Sequence, residues 1–385
     1  MRYALTGGAY GWKRAAAVAV AAPALLLGVP TTVDSAATGV APAPATLRVL
    51  AGEHGRDNGT QTCARGKALN SLLDLPSAVA VFKGNVYVAD AGDSCVLEVR
   101  TDGSINPVAG TGVSGFNGNG ISATKAELYD PQALAFDKAG DLFIADSGNE
   151  RIREVTTSGI IKLVAGTGQY GFAGDGGKAV SARLNYPLGV AVDGSGDVFI
   201  SDTQNERVRE VTPDGLIHTI AGTGGYGFNG NGIPATKAVL NTPAGLAVAP
   251  DGTVYFGDVG NNQVRTIGPK GIIHTVAGDT EPGGYNPNKR VAVDTPLYNP
   301  YSIALDAQGD LFIADSTNCL VRKVVPAGTI SPVIGQAPKG GPRCGYNGDG
   351  LAPTTSTLNR PYGIAVGGAG HIYVADTYNQ VVRRL

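Results

Sequence analysis

The sequence predicts an all-β fold, a six-bladed β-propeller of four-stranded antiparallel blades, on three observations. A proline that opens a strand-like run recurs as Pro76, Pro131, Pro187, Pro243, Pro300 and Pro361, a period of about 56 residues that marks a chain of repeated structural units. Each unit holds four short runs rich in Val, Ile and Phe, separated by Gly, Asp and Asn turns, which is the pattern of antiparallel strands. The two ends are also complementary. The last unit stops after its third run, Val381-Val382-Arg383-Arg384-Leu385, whereas Thr46-Leu47-Arg48-Val49-Leu50-Ala51-Gly52 matches a fourth run with no first three before it. Pairing the spare strand 46–52 with the incomplete unit closes a ring. An open solenoid needs capping repeats and does not account for this complementarity.

Composition agrees. Of 385 residues 57 are Gly, 43% are hydrophobic and 6% aromatic, which suits a sizeable core with many tight turns better than long helices. With 30 basic and 32 acidic residues the chain has no electrostatic footprint for nucleic acid.

In chain order, Lys13 and Arg14 precede an apolar stretch from Ala15 to Val29, and Ser35-Ala36-Ala37 supplies small residues at a cleavage point. Residues 1–37 therefore read as a signal peptide, with a retained membrane anchor as the alternative. Residues 38–45 form a Pro/Ala-rich linker and residues 46–385 the propeller. The expected product is secreted, extracellular and monomeric, with no membrane span after signal removal.

The unit is plainest in the third copy, where the runs are Gly189 to Val192, Asp197 to Ser201, Arg207 to Val211 and Leu216 to Ala221. The first two are almost uninterrupted apolar stretches, expected to be buried on both faces. In the third, Val208 and Val211 stand among Arg207, Arg209 and Glu210, which predicts one wet face. Rising polarity places the first strand nearest the ring axis.

The connector after it, as in GTGQYGFAGDGGKA at 166–179, has the spacing of a dinucleotide-binding turn at Gly166, Gly168 and Gly171. Siblings at Gly110-Thr-Gly112 and Gly222-Thr-Gly224, and the lack of a following helix long enough to pack on a sheet, exclude that reading. Asp175 and Asp349 suggest calcium, but sibling connectors carry Asn119 and Asn231, and one carboxylate per loop is too few. No metal and no cofactor are expected. The connector aromatics Phe116, Phe172, Phe228 and Tyr346 are expected to pack between blades, a binding rim being the alternative.

Asp90, Asp146, Asp202, Asp258, Asp315 and Asp376 each end a second strand. A cation ring is conceivable, but their place before turns such as SGNE and TQNE predicts a structural role, capping amides or pairing with a nearby Arg. Cys63, Cys95, Cys319 and Cys344 form an even set, which outside the cytosol predicts two disulfides. In an up-and-down blade the connectors and the turns between second and third strands emerge on one face. That topology favours Cys63 with Cys95 and Cys319 with Cys344. Around the channel mouth lie Asp130, Tyr186, Asn299, Tyr301, Arg360 and Tyr362, a candidate recognition surface.

The stretches PLGVAVDGSGDVFISDTQNERVREV and PYGIAVGGAGHIYVADTYNQVVRRL resemble NHL repeats, and the GTGxxGFxGxG connectors are similar to those of the teneurin propeller. The resemblance covers Thr46 to Leu385. It implies a recognition module, while related six-bladed propellers include lyases and lactonases with a metal held in the axial channel. The inner strands here, SAVAV, QALAF, LGVAV, AGLAV, YSIAL and YGIAV, contain no Asp, Glu, His or Cys. No Ser or Cys has an identifiable base partner. The expected function is non-catalytic binding of a protein, glycan or cell-wall polymer through the loop-bearing face. The alternative is a secreted lyase or hydrolase, possibly metal-dependent, with a site outside the channel.

Overall fold

A computed structural model describes residues 45–55, 62–280, 282–338 and 340–385. The expected signal peptide (1–37) and the linker up to residue 44 lie outside the described residues.

Six antiparallel sheets follow one another along the chain. The third blade runs Gly189–Val192, Val198–Asp202, Arg207–Val211 and Ile217–Ala221, each strand paired with the next. The innermost strands of the other blades are Pro76–Phe82, Pro131–Phe136, Pro243–Val248, Pro300–Leu305 and Gly363–Val366. In the sixth blade Arg48–Ala51 lies against Val381–Arg384, with Arg48 opposite Arg384, so the first strand among the described residues completes the last blade.

The cores lie between blades, because strands buried on both faces need an apolar layer on each side. Between the second and third blades, Phe143, Ala145 and Ile152 meet Val190, Val198 and Ile200, closed from outside by the connector residues Ala179, Ala182 and Leu184. The seam between the sixth and first blades is equally continuous, with Ala51, Tyr373, Ala375 and Val382 against Val79, Val88 and Leu97. Leu47 fills the seam between the fifth and sixth with Phe312, Ile334, Ile364 and Val374. The added strand therefore contributes to the seams on both sides of its blade.

Two sequence expectations need adjustment. Three blades carry a fifth, two-residue strand, at Gly66–Lys67, Ile121–Ser122 and Ile233–Pro234, where the incoming connector pairs with the outermost strand and covers part of an exposed edge. The third strand also buries the middle charge of its expected wet face: Arg153, Arg209 and Arg265 are 0% exposed, while Arg207 and Glu210 stay partly exposed. A register shift precedes each of these arginines, between Ile152 and Arg153, Val208 and Arg209, and Val264 and Arg265. Such bulges re-aim a side chain, and the connector then closes over it.

Candidate functional site

The connector face bears the blade-to-blade connectors, the turns between second and third strands, and the starts of the innermost strands. Its foundation is the aspartate ring. Asp146, Asp202, Asp258, Asp315 and Asp376 are 0% exposed, and each pairs with the arginine seven residues on, at 3.1 Å to Arg153, Arg209 and Arg265, 3.4 Å to Arg322 and 3.6 Å to Arg383. One carboxylate oxygen accepts the backbone N–H of Tyr129, Asn185, Asn241, Tyr298 or Asn359 at 2.7–2.8 Å. Three residues after each aspartate an asparagine, Asn149, Asn205, Asn261, Asn318 or Asn379, donates both to it and to a connector carbonyl, that of Gly115, Gly171, Gly227, Gly284 or Gly345. The ring is thus the tie between turn, connector and channel mouth. Burial raises these carboxyls above their usual range, to about 6 at Asp258 and Asp315 and about 7 at Asp376, while the hydrogen bonds and the arginines oppose the shift. In the first blade Leu97 replaces the arginine and Asp93 the asparagine. Asp90 is raised well above the usual range by burial and by the charge of Asp93.

The connector sequence follows from this geometry. Gly166 has φ +96°, and a Cβ on it would stand 2.2 Å from the carbonyl oxygen of Glu150. Gly168 has φ +83°, with the Arg151 guanidinium 2.2 Å from where its Cβ would be. Only glycine lets the chain turn there and pass over that guanidinium, which donates to Thr167 O at 2.8 Å. The connector aromatics lie on arginines rather than in an apolar cleft, which corrects the packing expectation. Arg151 stands 3.8 Å from the centre of the Phe116 ring and Arg207 3.8 Å from that of Phe172, with the buried Arg153 and Arg209 at 4.9 and 4.8 Å. In the sixth blade Val381 takes the position of Arg151, and His54 from the chain's first connector stacks on Tyr346 instead, at 4.0 Å. Asp175 meets Arg209 at 3.1 Å and Asp349 accepts the N–H of Val49 at 2.7 Å, so these loop carboxylates brace the connectors.

At the channel mouth the structure brings five of the six candidates together. The residue before each strand-opening proline is left-handed: Leu75, Asp130, Tyr186, Thr242, Asn299 and Arg360 have φ of 48° to 58°. For residues with a Cβ this costs about 1–2 kcal/mol each. Part of the compensation comes from the preceding blade, where Glu150, Glu206 and Asn262 accept the N–H groups of Tyr186, Thr242 and Asn299. The Tyr186 hydroxyl donates to Asp130, and Gln132 donates to the same carboxylate at 2.6 Å. Tyr301 stacks on Tyr362 at 4.5 Å, and the Tyr378 ring meets Tyr362 edge-on at 6.0 Å. Arg360 lies 5.6 Å from the centre of Tyr378. Asn299 stays outside the cluster, held by Asn262. Burial, reinforced by neighbouring hydroxyls and Asp130, pushes the Tyr186 and Tyr301 phenols far above their usual range, so both remain neutral donors. Beneath Tyr301 and Tyr362 the axial channel encloses about 60 Å³ among Ser77, Gln132, Leu188, Leu246 and Ile364, far less than the ~300 Å³ or more of ligand pockets. Among the described residues no three His, Cys, Asp or Glu are placed to hold a metal ion.

Sequence reasoning missed Gln132, Tyr378 and the asparagine ring. Gln132 and Tyr378 have polar or aromatic counterparts in only some blades, so the repeat did not flag them. The asparagines were visible as Asp-x-x-Asn in five units.

Cys63 is bonded to Cys95 and Cys319 to Cys344, with Cα separations of 5.8 and 5.3 Å, the pairing that blade topology favoured. Both tie a connector to a turn on this face, one on each side of the sixth blade. Aromatic exposure has the same polarity. Tyr170 (77%) and Tyr226 (79%) project from connectors, and Tyr129, Tyr298 and Tyr378 are about half exposed around the mouth. No large exposed hydrophobic among the described residues falls in the hairpin turns of the opposite face.

The fold and site define a class, a six-bladed β-propeller of repeated blades with anchored connectors. The family model of the teneurin NHL domain matches residues 168–229 and 224–289, and that of the NHL repeat matches residues 358–385. Over these residues the chain carries NHL-type repeats, with connectors similar to those of the teneurin NHL domain, within a six-bladed β-propeller. Teneurin-1 of Mus musculus is 28% identical over 387 residues, which cover 89% of this chain and 13% of that protein; the chain thus spans only a small part of its curated relatives. In three dimensions it is similar to an auxiliary nutrient binding protein of Bacteroides thetaiotaomicron (TM-score 0.63, 12% identity, 88% of this chain and 75% of that one). A gluconolactonase of Xanthomonas campestris is also similar (TM-score 0.53, 16% identity, 90% and 98%). At such identities these likenesses establish the fold alone.

Proposed function

We propose that the chain is an exported recognition propeller whose connector face binds a protein, glycan or wall polymer outside the cytosol. The observation that carries this reading is the asymmetry of exposed aromatic side chains, present on the connectors and mouth and absent from the opposite hairpin turns among the described residues. Tyrosine supplies large contact area at small conformational cost, on loops that a rigid ring can vary without disturbing its core. Two disulfides support an oxidising compartment. An axial channel whose innermost strands carry no Asp, Glu, His or Cys supports a non-catalytic role.

The test is co-sedimentation of the purified propeller with cell-envelope preparations. Tyr170→Ser combined with Tyr226→Ser is expected to lower the bound fraction severalfold, while Lys138→Ser on the opposite face leaves it unchanged. Equal loss from both surfaces would refute the assignment of the face.

A further inference from the structure

We propose that the channel mouth binds a small zwitterion of the α-amino-acid type, its ammonium on Asp130, its carboxylate on Arg360 and its apolar side chain against Leu75 and the tyrosines. The proposal rests on the recognition reading above and names a ligand class for the centre of that face. Asp130 and Arg360 occupy the equivalent left-handed position in the second and sixth blades, so only the first blade stands between them, and its equivalent residue is Leu75, 40% exposed.

Asp130 is half-buried and Arg360 exposed at the mouth, and each lacks the ion pair that anchors the aspartate ring. Every aspartate of the ring except Asp90 has its arginine. Asp130 instead receives two neutral donors, the Tyr186 hydroxyl and the Gln132 amide. These fix the carboxylate in place and leave its charge uncompensated. Arg360 lies by the Tyr378 ring, with the Tyr362 hydroxyl near its charge. Neither residue forms an ion pair among the described residues. A half-buried carboxylate gains most from a cationic partner that can donate hydrogen bonds, and a guanidinium from a carboxylate that can take two. One small molecule with both groups satisfies both.

The shape of the mouth limits the size of such a ligand. Tyr301 and Tyr362, from the adjacent fifth and sixth blades, stack on each other at the mouth, and the channel they line holds only a small void, so the ligand rests on the mouth rather than entering a tunnel. The mouth is apolar around Tyr186 and Tyr301, which pack on Leu188, Ala244 and Val259. An aromatic or branched aliphatic side chain fits it better than a charged one. The Asp130 carboxylate is held in place by Tyr186 and Gln132 before any ligand arrives.

The experiment is isothermal titration of the propeller with L-phenylalanine, with phenethylamine, which lacks the carboxylate, and with 3-phenylpropionate, which lacks the ammonium. Saturable binding of phenylalanine is expected, at least about tenfold tighter than either analogue. Asp130→Asn is expected to abolish the margin over 3-phenylpropionate, and Arg360→Gln the margin over phenethylamine. The analogue series on the wild-type protein stands even if a variant fails to fold. Equal affinity for all three compounds, or no saturable binding of phenylalanine, overturns the proposal. If that happens while Tyr170→Ser with Tyr226→Ser still lowers envelope binding, only the ligand class is wrong. If neither effect is seen, the recognition face falls with it.

Discussion

Replacing Arg209 with methionine tests the anchoring of the connector face at one residue. The side chain is fully buried, 3.1 Å from Asp202 and 3.1 Å from Asp175, with the Phe172 ring at 4.8 Å. Methionine fills much of the same space but leaves the Asp202 carboxylate buried with only the Asn185 N–H and the Asn205 amide. Removing one partner of a buried pair costs about 3–5 kcal/mol. The Asp175 contact adds little, because that carboxylate is 40% exposed and screened by solvent. Arg207→Met is the internal control. Arg207 faces the same Phe172 ring at 3.8 Å, is only partly buried and has no aspartate partner, so its loss is expected to cost about 1 kcal/mol or less. Adding Asp202→Asn to Arg209→Met removes the orphaned charge and is expected to recover part of the loss. Urea unfolding followed by circular dichroism measures all four proteins. An Arg209→Met variant no less stable than Arg207→Met would refute the anchoring role of the pair.

Three further outcomes are expected. Leu47→Ala opens the seam between the fifth and sixth blades and is expected to cost about 2–5 kcal/mol, and deletion of residues 46–52 to abolish cooperative unfolding; a deletion variant that melts like the parent contradicts the ring closure. Alkylation without reductant is expected to label none of the four cysteines. Each bridge spans 32 or 25 residues, worth about 3–4 kcal/mol in the loop-entropy account, so reduction should lower the melting temperature by several degrees. The ring carboxyls bind protons more tightly in the folded chain than in the unfolded one, with Asp258 and Asp315 near 6 and Asp376 near 7. Their stabilisation is complete below the unfolded value of about 4 and is lost as pH rises through 6 to 7. The melting temperature is therefore expected to fall from pH 5 to pH 8, less steeply in Asp376→Asn, and a rise over that interval contradicts the burial account.

The architecture was legible because every blade repeats one solution, and repetition turns a weak local signal into a strong one. Gly166 alone resembles a cofactor turn; with Gly110 and Gly222 at the same position it becomes a steric requirement beside the carbonyls of Ser94, Glu150 and Glu206. The buried arginines were not legible as buried, since Arg209 in an alternating strand looks like a solvated residue until a connector from the preceding blade covers it. For the same reason Phe172 is expected from the sequence to pack between blades. Its partner is a guanidinium brought near it only by the path of the connector. Cross-blade contacts such as Glu150 with Tyr186 depend on the angle between neighbouring blades, which no single repeat encodes.

The repeat also separates what the fold requires from what it leaves open. All six units place aspartate at the end of the second strand, and five place asparagine three residues later and arginine seven residues later. All six place glycine directly after the outermost strand, at Gly52, Gly110, Gly166, Gly222, Gly278 and Gly335. The mouth position shares the same left-handed backbone in every blade, yet holds Leu, Asp, Tyr, Thr, Asn and Arg. A position under purely conformational control would favour glycine or asparagine in every copy. Six different side chains at one strained position indicate that its identity answers to something other than the ring. The unpaired charges of Asp130 and Arg360 are the part of that variation with the most definite chemical consequence, and the proposed zwitterion site at the mouth rests on them.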